Sequence, residues 1–308
     1  MPAKWFKCPD GETIEIAKCL SHNGCRMAER CATRPFLRLV GYDREWRGVT
    51  PSAAGNGPRL LFLKAMTDYI IDPDSRVWAA FGTSTHEVLG IHKYSNDVMS
   101  EERFHDGEMG GTADVLEIDE NDQKYFILTD YKTWGSYKVA KSLGIKVEKS
   151  EETLLDVEGN VVILKSGKNK GMPKTKKHST ITTDPASADL KGEELQLNRY
   201  RLFFEANGFP VSKIQIQAIP RDGGTWIAQS RGVTKNLYII PLKRLNNAYV
   251  LNFYRALKKE VNECFKTGYI RKCNQWESWE GRRCDGYCEV VSACKQMSKT
   301  NNEKWGIL

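Results

Sequence analysis

The strongest constraint on the fold lies in two short runs, Gly110-Gly111-Thr112-Ala113-Asp114 and Ile127-Leu128-Thr129-Asp130-Tyr131-Lys132-Thr133. Val115, Leu116 and Ile118 continue a strand pattern, and Asp119-Glu120-Asn121-Asp122 supplies turn chemistry. Residues 124–133 then form a second strand, so the segment is a β-hairpin. Strand side chains alternate faces, which puts Asp130 and Lys132 on the side of Phe126 and Leu128. Charges that end an apolar face are unfavourable if buried without partners. The Gly110-Gly111 pair lets another backbone or a ligand come close just before Asp114. Two carboxylates and an ammonium therefore converge at the end of a sheet. Carboxylate oxygens hold Mg²⁺ or Mn²⁺, and a lysine can position or activate a water at a phosphodiester.

Two further motifs flank the hairpin. Phe81-Gly82-Thr83-Ser84-Thr85-His86-Glu87-Val88-Leu89 places His86 on a helix, and Gln196-Leu197-Asn198-Arg199-Tyr200 sets Gln196 and Tyr200 one helical turn apart. Singly, each has an ordinary reading: a core histidine, a strand-edge Asp/Lys pair, an i,i+4 helix contact. Together and in this order they resemble the PD-(D/E)XK nucleases, specifically the RecB-like branch, over roughly residues 30–300. The resemblance implies a restriction-endonuclease-like α/β core and a Mg²⁺- or Mn²⁺-dependent deoxyribonuclease. His86, Asp114, Asp130 and the Tyr131 carbonyl would ligate the cation. Lys132 would orient the attacking water and stabilise developing charge, with Gln196 and Tyr200 steadying Lys132 and the DNA backbone. Single strands or duplex ends are the implied substrate, cut as an exonuclease. Trp134 and Trp226 could stack on bases, although core packing is the expectation for both.

Nine cysteines fall at the two ends of the 308 residues, none in the hairpin region. In a chain whose first residues carry no signal-peptide core, they suggest metal rather than disulfides. Cys284-x3-Cys288-x5-Cys294, with Cys31 in Cys31-Ala32-Thr33-Arg34, resembles the iron–sulfur staple of CRISPR-associated RecB-like exonucleases. That resemblance implies one [4Fe–4S] cluster on Cys31, Cys284, Cys288 and Cys294. The first gap, Asp285-Gly286-Tyr287, is three residues where relatives usually have two. Cys8, Cys19, Cys25 and Cys273 suit a second four-ligand site, Zn²⁺ or another cluster. Alternatively each end keeps its own quartet, Cys8, Cys19, Cys25 and Cys31 against Cys273, Cys284, Cys288 and Cys294, and His22 can replace one cysteine. Cys264 sits in the apolar pattern of a helix and reads as a buried thiol.

The rest of the chain predicts helices over 27–39, 60–71, 75–91, 193–207 and 242–266, and strands over 211–219 and 236–241. Gly208 and Gly268 close the last two helices. The order is α/β with an antiparallel component, not a doubly wound fold. It implies a Cys-rich segment over 1–40, a core over 41–268 and a second Cys-rich segment over 269–308 that packs on the first. Residues 138–189 read as an insertion with a hairpin turning at Glu158-Gly159-Asn160. Its tail holds Lys165, Lys168, Lys170, Lys174, Lys176 and Lys177 with no acid among them, either a solvated loop or a phosphate-contacting arm. A net charge of +7 suits a polyanion. No apolar run reaches membrane-spanning length, so a cytoplasmic protein of a bacterial cell or phage-infected host is expected, with recombination or CRISPR proteins as partners. Other readings are a non-catalytic, metal-stabilised DNA-binding subunit and a restriction-type endonuclease.

Overall fold

In the computed structural model of the protein, residues 3–42, 46, 48–91 and 98–295 are described. The elements in chain order are β1 (Trp5–Lys7), β2 (Thr13–Glu15), α1 (Ile16–Leu20), α2 (Arg34–Gly41), α3 (Gly57–Met66), β3 (Ile70–Ile71), α4 (Val77–Ile91), β4 (Val98–His105), β5 (Gly110–Ile118) and β6 (Phe126–Lys132). There follow α5 (Ser136–Ser142), β7 (Ile145–Thr153), β8 (Thr175–Thr183), α6 (Lys191–Ala206), β9 (Val211–Ala218), α7 (Trp226–Ser230), β10 (Tyr238–Pro241) and α8 (Asn247–Thr267). Among the described residues no helix is long and apolar enough to cross a membrane.

Local chemistry sets several boundaries. Asn246 caps α8 by accepting from the amides of Ala248 and Tyr249. Gly268, at φ +71°, ends the helix in the left-handed conformation. Between the caps Val250, Tyr254, Leu257, Val261 and Cys264 repeat at three- and four-residue steps and are buried. The predicted helix over 27–39 is instead α2, because Pro35 fits only a helix's first turn.

The fold is mixed α/β. A three-stranded sheet has the order β2-β1-β3, β1 running antiparallel to β2 and parallel to β3. A five-stranded sheet has the order β10-β9-β6-β5-β4, with β4, β5 and β6 antiparallel neighbours. β7 and β8 form a two-stranded ribbon.

Two compact units divide the chain, one of Met1–Asp130, Lys191–Gln215 and Pro241–Leu308, the other of Tyr131–Leu190 and Ile216–Ile240. This differs from the three segments expected from sequence. Both Cys-rich ends belong to the first unit because they share one apolar cluster. Phe6, Ile14, Leu37 and Val40 from the start meet Ile270 and Val290 from the end, with Leu60 and Leu63 of α3 between them. Burying such side chains contributes about 1.5–3 kcal/mol each.

Within the first unit the turn after β5 is held by Asp119. It accepts from Ser212 Oγ at 2.7 Å, from the Asn121 amide at 3.1 Å, and lies 3.4 Å from Lys213 Nζ. The Ser212 hydroxyl, the Asn121 donors and Lys213 together hold its carboxyl down at about 2. A depressed carboxyl stabilises the fold fully above its ordinary range, near 4, and the contribution disappears as pH falls towards 2. Asp119→Asn is therefore expected to lower the melting temperature at pH 6 and to leave it nearly unchanged at pH 2. An equal loss at both pH values would show that the charge is not what matters.

Candidate functional site

Strand register brings the site together. β4 pairs with β5 through Met99–Leu116, Ser100–Val115 and Glu102–Ala113, which leaves Glu101 and Asp114 between the last two pairs. β5 pairs with β6 through Leu116–Leu128 and Val115–Thr129, and Asp114 and Asp130 are the next residues beyond the last of these pairs. Opposed residues of antiparallel strands share a face. Glu101, Asp114 and Asp130 are thus a row of acids on three neighbouring strands, β4, β5 and β6.

His86 arrives at this row from α4. Its Nδ1 lies 3.3 Å from Asp114 Oδ1 and 3.6 Å from Glu101 Oε1. One potential ligand atom each from His86, Glu101 and Asp114 lie within 4.8 Å of one another, a trio with no equivalent among the described residues. Asp130 is outside that trio. Its Oδ1 accepts from Gln196 Nε2 at 3.4 Å, a long bond from α6. Asp114 and Asp130 are 9% and 3% exposed, so each carboxylate depends on a cation or donors for its charge. Oxygen donors with one imidazole are a donor set that suits Mn²⁺ or Mg²⁺.

Tyr200 also reaches this end of the sheet. A Cβ on Gly111 would meet Tyr200 Cε1 at 2.5 Å and Pro51 Cγ at 3.1 Å. The glycine is what lets the buried Tyr200 ring lie against β5. Thus His86, Asp114, Asp130, Gln196 and Tyr200 all belong to the first unit. Tyr131 and Lys132, the last residues of β6, belong to the second. Along β6, alternation keeps Lys132 on the side of Asp130. Glu101 has no counterpart among the motifs. Its strand was not legible from sequence, and Glu101-Glu102-Arg103 reads as solvent-facing polarity.

The cysteines are all free thiols. Burial raises the Cys19 thiol, Arg30 opposes the rise, and Cys25, Cys31 and Cys8 add to it. Burial likewise raises Cys288, with Cys284 and Cys294 adding to the rise, and raises Cys273, with Glu277 and Cys294 adding to it. Both groupings of the cysteines remain expectations from the sequence. Among the described residues no three cysteine sulfurs stand within 4.8 Å of one another. Thiolates suit Zn²⁺ and iron–sulfur centres by chemistry. Cys264 is buried on the apolar face of α8.

The insertion corrects one expectation. β7 and β8 pair over nine residues, with Glu151 opposite Lys177 and Glu152 opposite Lys176. Lys177 Nζ lies 3.2 Å from Glu151 Oε1. Acids do face this end of the lysine run; they lie on the partner strand, well before the lysines in the chain, where a reading of the lysines alone misses them. The hairpin turn at 156–160 forms as expected, with the Asp156 amide donating to the Asn160 carbonyl at 2.8 Å. Lys165, Lys168, Lys170 and Lys174 are exposed around the ribbon tip. Trp226 is 79% exposed at the start of α7, against the core packing expected of it, while Trp134 is partly buried beneath Lys138.

No family model matches the chain, and no curated protein does. Among solved structures the chain is similar to one described as the crystal structure of SSO0001, at 13% identity over 83% of this chain and 90% of that one, with a TM-score of 0.38. A likeness at that level fixes neither family nor activity.

Proposed function

We propose that the protein is a divalent-metal-dependent deoxyribonuclease of the RecB-like PD-(D/E)XK kind, acting on single-stranded DNA or DNA ends in recombination, repair or CRISPR-type processing. The observation that carries the reading is His86 Nδ1 lying 3.3 Å from Asp114 Oδ1, with Asp130 buried on the neighbouring strand. A bound Mg²⁺ or Mn²⁺ would supply Lewis-acid stabilisation of the charge that builds on a phosphodiester. His86, Asp114 and Asp130 would hold the cation, and by the resemblance the Tyr131 carbonyl would join them. Gln196 orients Asp130 through its amide, and Tyr200 closes the floor over Gly111. Lys132 would orient the attacking water, the role the resemblance implies for it. End-labelled single- and double-stranded DNA, incubated with the protein with and without Mn²⁺, tests the proposal. Cleavage only with metal is expected, and no cleavage of either substrate would overturn it.

The ribbon adds affinity without sequence readout, since lysines on an exposed turn meet phosphates and not base edges. Replacing Lys168, Lys170 and Lys174 with Gln is expected to flatten the salt dependence of single-strand binding by up to about 0.7 log–log units for each phosphate that a lysine no longer neutralises. Lys177→Gln alone should change it less, because Glu151 already matches that charge. Equal slopes in the triple variant and the wild type would remove the ribbon from the DNA path.

A further inference from the structure

Glu101 occupies an unusual place for a strand residue. Its φ is +55°, in the left-handed region that a β-strand glutamate does not adopt without cause. The β4–β5 ladder is interrupted at this residue alone in its central run. Ser100–Val115 pairs on one side and Glu102–Ala113 on the other, with the register unchanged across the gap. No residue is inserted, so this is not a bulge that shifts the strand. The backbone turns at one position and then resumes.

The turn aims the side chain. Glu101 Oε1 lies 3.6 Å from His86 Nδ1, and the carboxylate belongs to the trio with His86 and Asp114. Helix α4 leaves room for it. A Cβ on Gly90 would stand 3.2 Å from Glu101 Cγ. Gly90 is one turn after His86, on the same helix face. The helix therefore presents a ligand at one turn and a clearance for the opposing glutamate at the next. Positive-φ residues cluster where the surrounding structure holds strain for a purpose.

We propose that Glu101 is a ligand of the divalent cation, completing with His86 and Asp114 the first binding site for it, while Asp130 closes the row from the other side. The cation's task rests on the nuclease reading, but ligation is measured separately from cleavage. Hard divalent cations take six or more ligands and favour carboxylate oxygen. A third carboxylate raises affinity and leaves fewer positions to water.

The test uses Mn²⁺ alone, titrated calorimetrically into the full chain. Glu101→Gln keeps size and removes charge. Glu101→Gly removes the ligand and suits a positive φ, so its melting temperature should equal or exceed that of the wild type. Both variants are expected to bind Mn²⁺ at least about tenfold more weakly, the scale on which losing even a residue behind a ligand is felt. A Mn²⁺-soaked crystal should show anomalous density within about 2.5 Å of a Glu101 oxygen. Unchanged Mn²⁺ affinity in both variants, no Mn²⁺ binding by the wild type, or density that omits Glu101 would overturn the proposal. Glu101-dependent binding without DNA cleavage would sink the nuclease reading and leave this ligand in place. Wild-type cleavage with Mn²⁺ affinity indifferent to Glu101 would do the reverse.

Discussion

Asp130→Ala is expected to reduce Mn²⁺-dependent DNA cleavage at least about a hundredfold, with Asp114→Ala and Lys132→Ala close behind. Removing one electrostatic group from a preorganised site typically costs about 10²–10³ in rate. Asp130 is buried on the central strand β6, and its carboxylate receives Gln196 Nε2. Alanine there leaves the Gln196 amide and one face of the cation site without that carboxylate. Gln196→Ala should cost less than Asp130→Ala, since the amide acts through the carboxylate and its bond is long. Rates at saturating DNA and metal separate chemistry from binding. Full activity in Asp130→Ala would remove this carboxylate from the chemistry.

The order of that site was legible in the sequence because its pieces are local. Asp114 and Asp130 sit on a hairpin whose turn is spelled by Asp119-Glu120-Asn121-Asp122, and both strands are rich in apolar residues. β9 shows the expected pattern, with Ile214, Ile216 and Ala218 buried. Helix α8 was legible from its spacing and from Gly268, though its start moved to the Asn246 cap. What escaped notice depends on distant pairing. β4 forms the edge of its sheet and carries Glu101, Glu102 and Arg103, and edge strands are often charged. β7 has Glu148, Glu151 and Glu152 among few apolar residues, so only its partner β8 makes it a strand. β1 and β2 are three residues each and need α1 and β3 around them to hold. Glu101 was invisible for a further reason, because no propensity predicts a glutamate at positive φ.

If the thiols hold metal as one quartet at each end, Cys31→Ser is expected to release metal from the N-terminal thiols and to leave that of the C-terminal thiols in place. The neighbours of Cys19 are Cys25, Cys31 and Cys8, whereas those of Cys288 are Cys284 and Cys294. A quartet at each end then predicts that the metal of one site alone is lost. Cys284→Ser, Cys288→Ser or Cys294→Ser should remove that of the other. Stability should fall sharply in every case, because structural thiolate sites carry apparent binding energies of about 10–16 kcal/mol that exist only in the folded state. The packing makes this a shared loss. Cys8, Cys19, Cys288 and Cys294 lie in or against the apolar cluster built on Phe6, Leu37 and Val290. Opening either quartet therefore loosens the core that joins the two ends of the chain. Cys264→Ser is the control. It leaves metal content unchanged and costs stability only through a buried hydroxyl on α8. Iron and zinc analysis of anaerobically purified protein, with its visible spectrum, separates the cases. Loss of all visible absorption in Cys31→Ser, with zinc retained, would instead tie Cys31 to the three C-terminal cysteines in a single iron–sulfur staple.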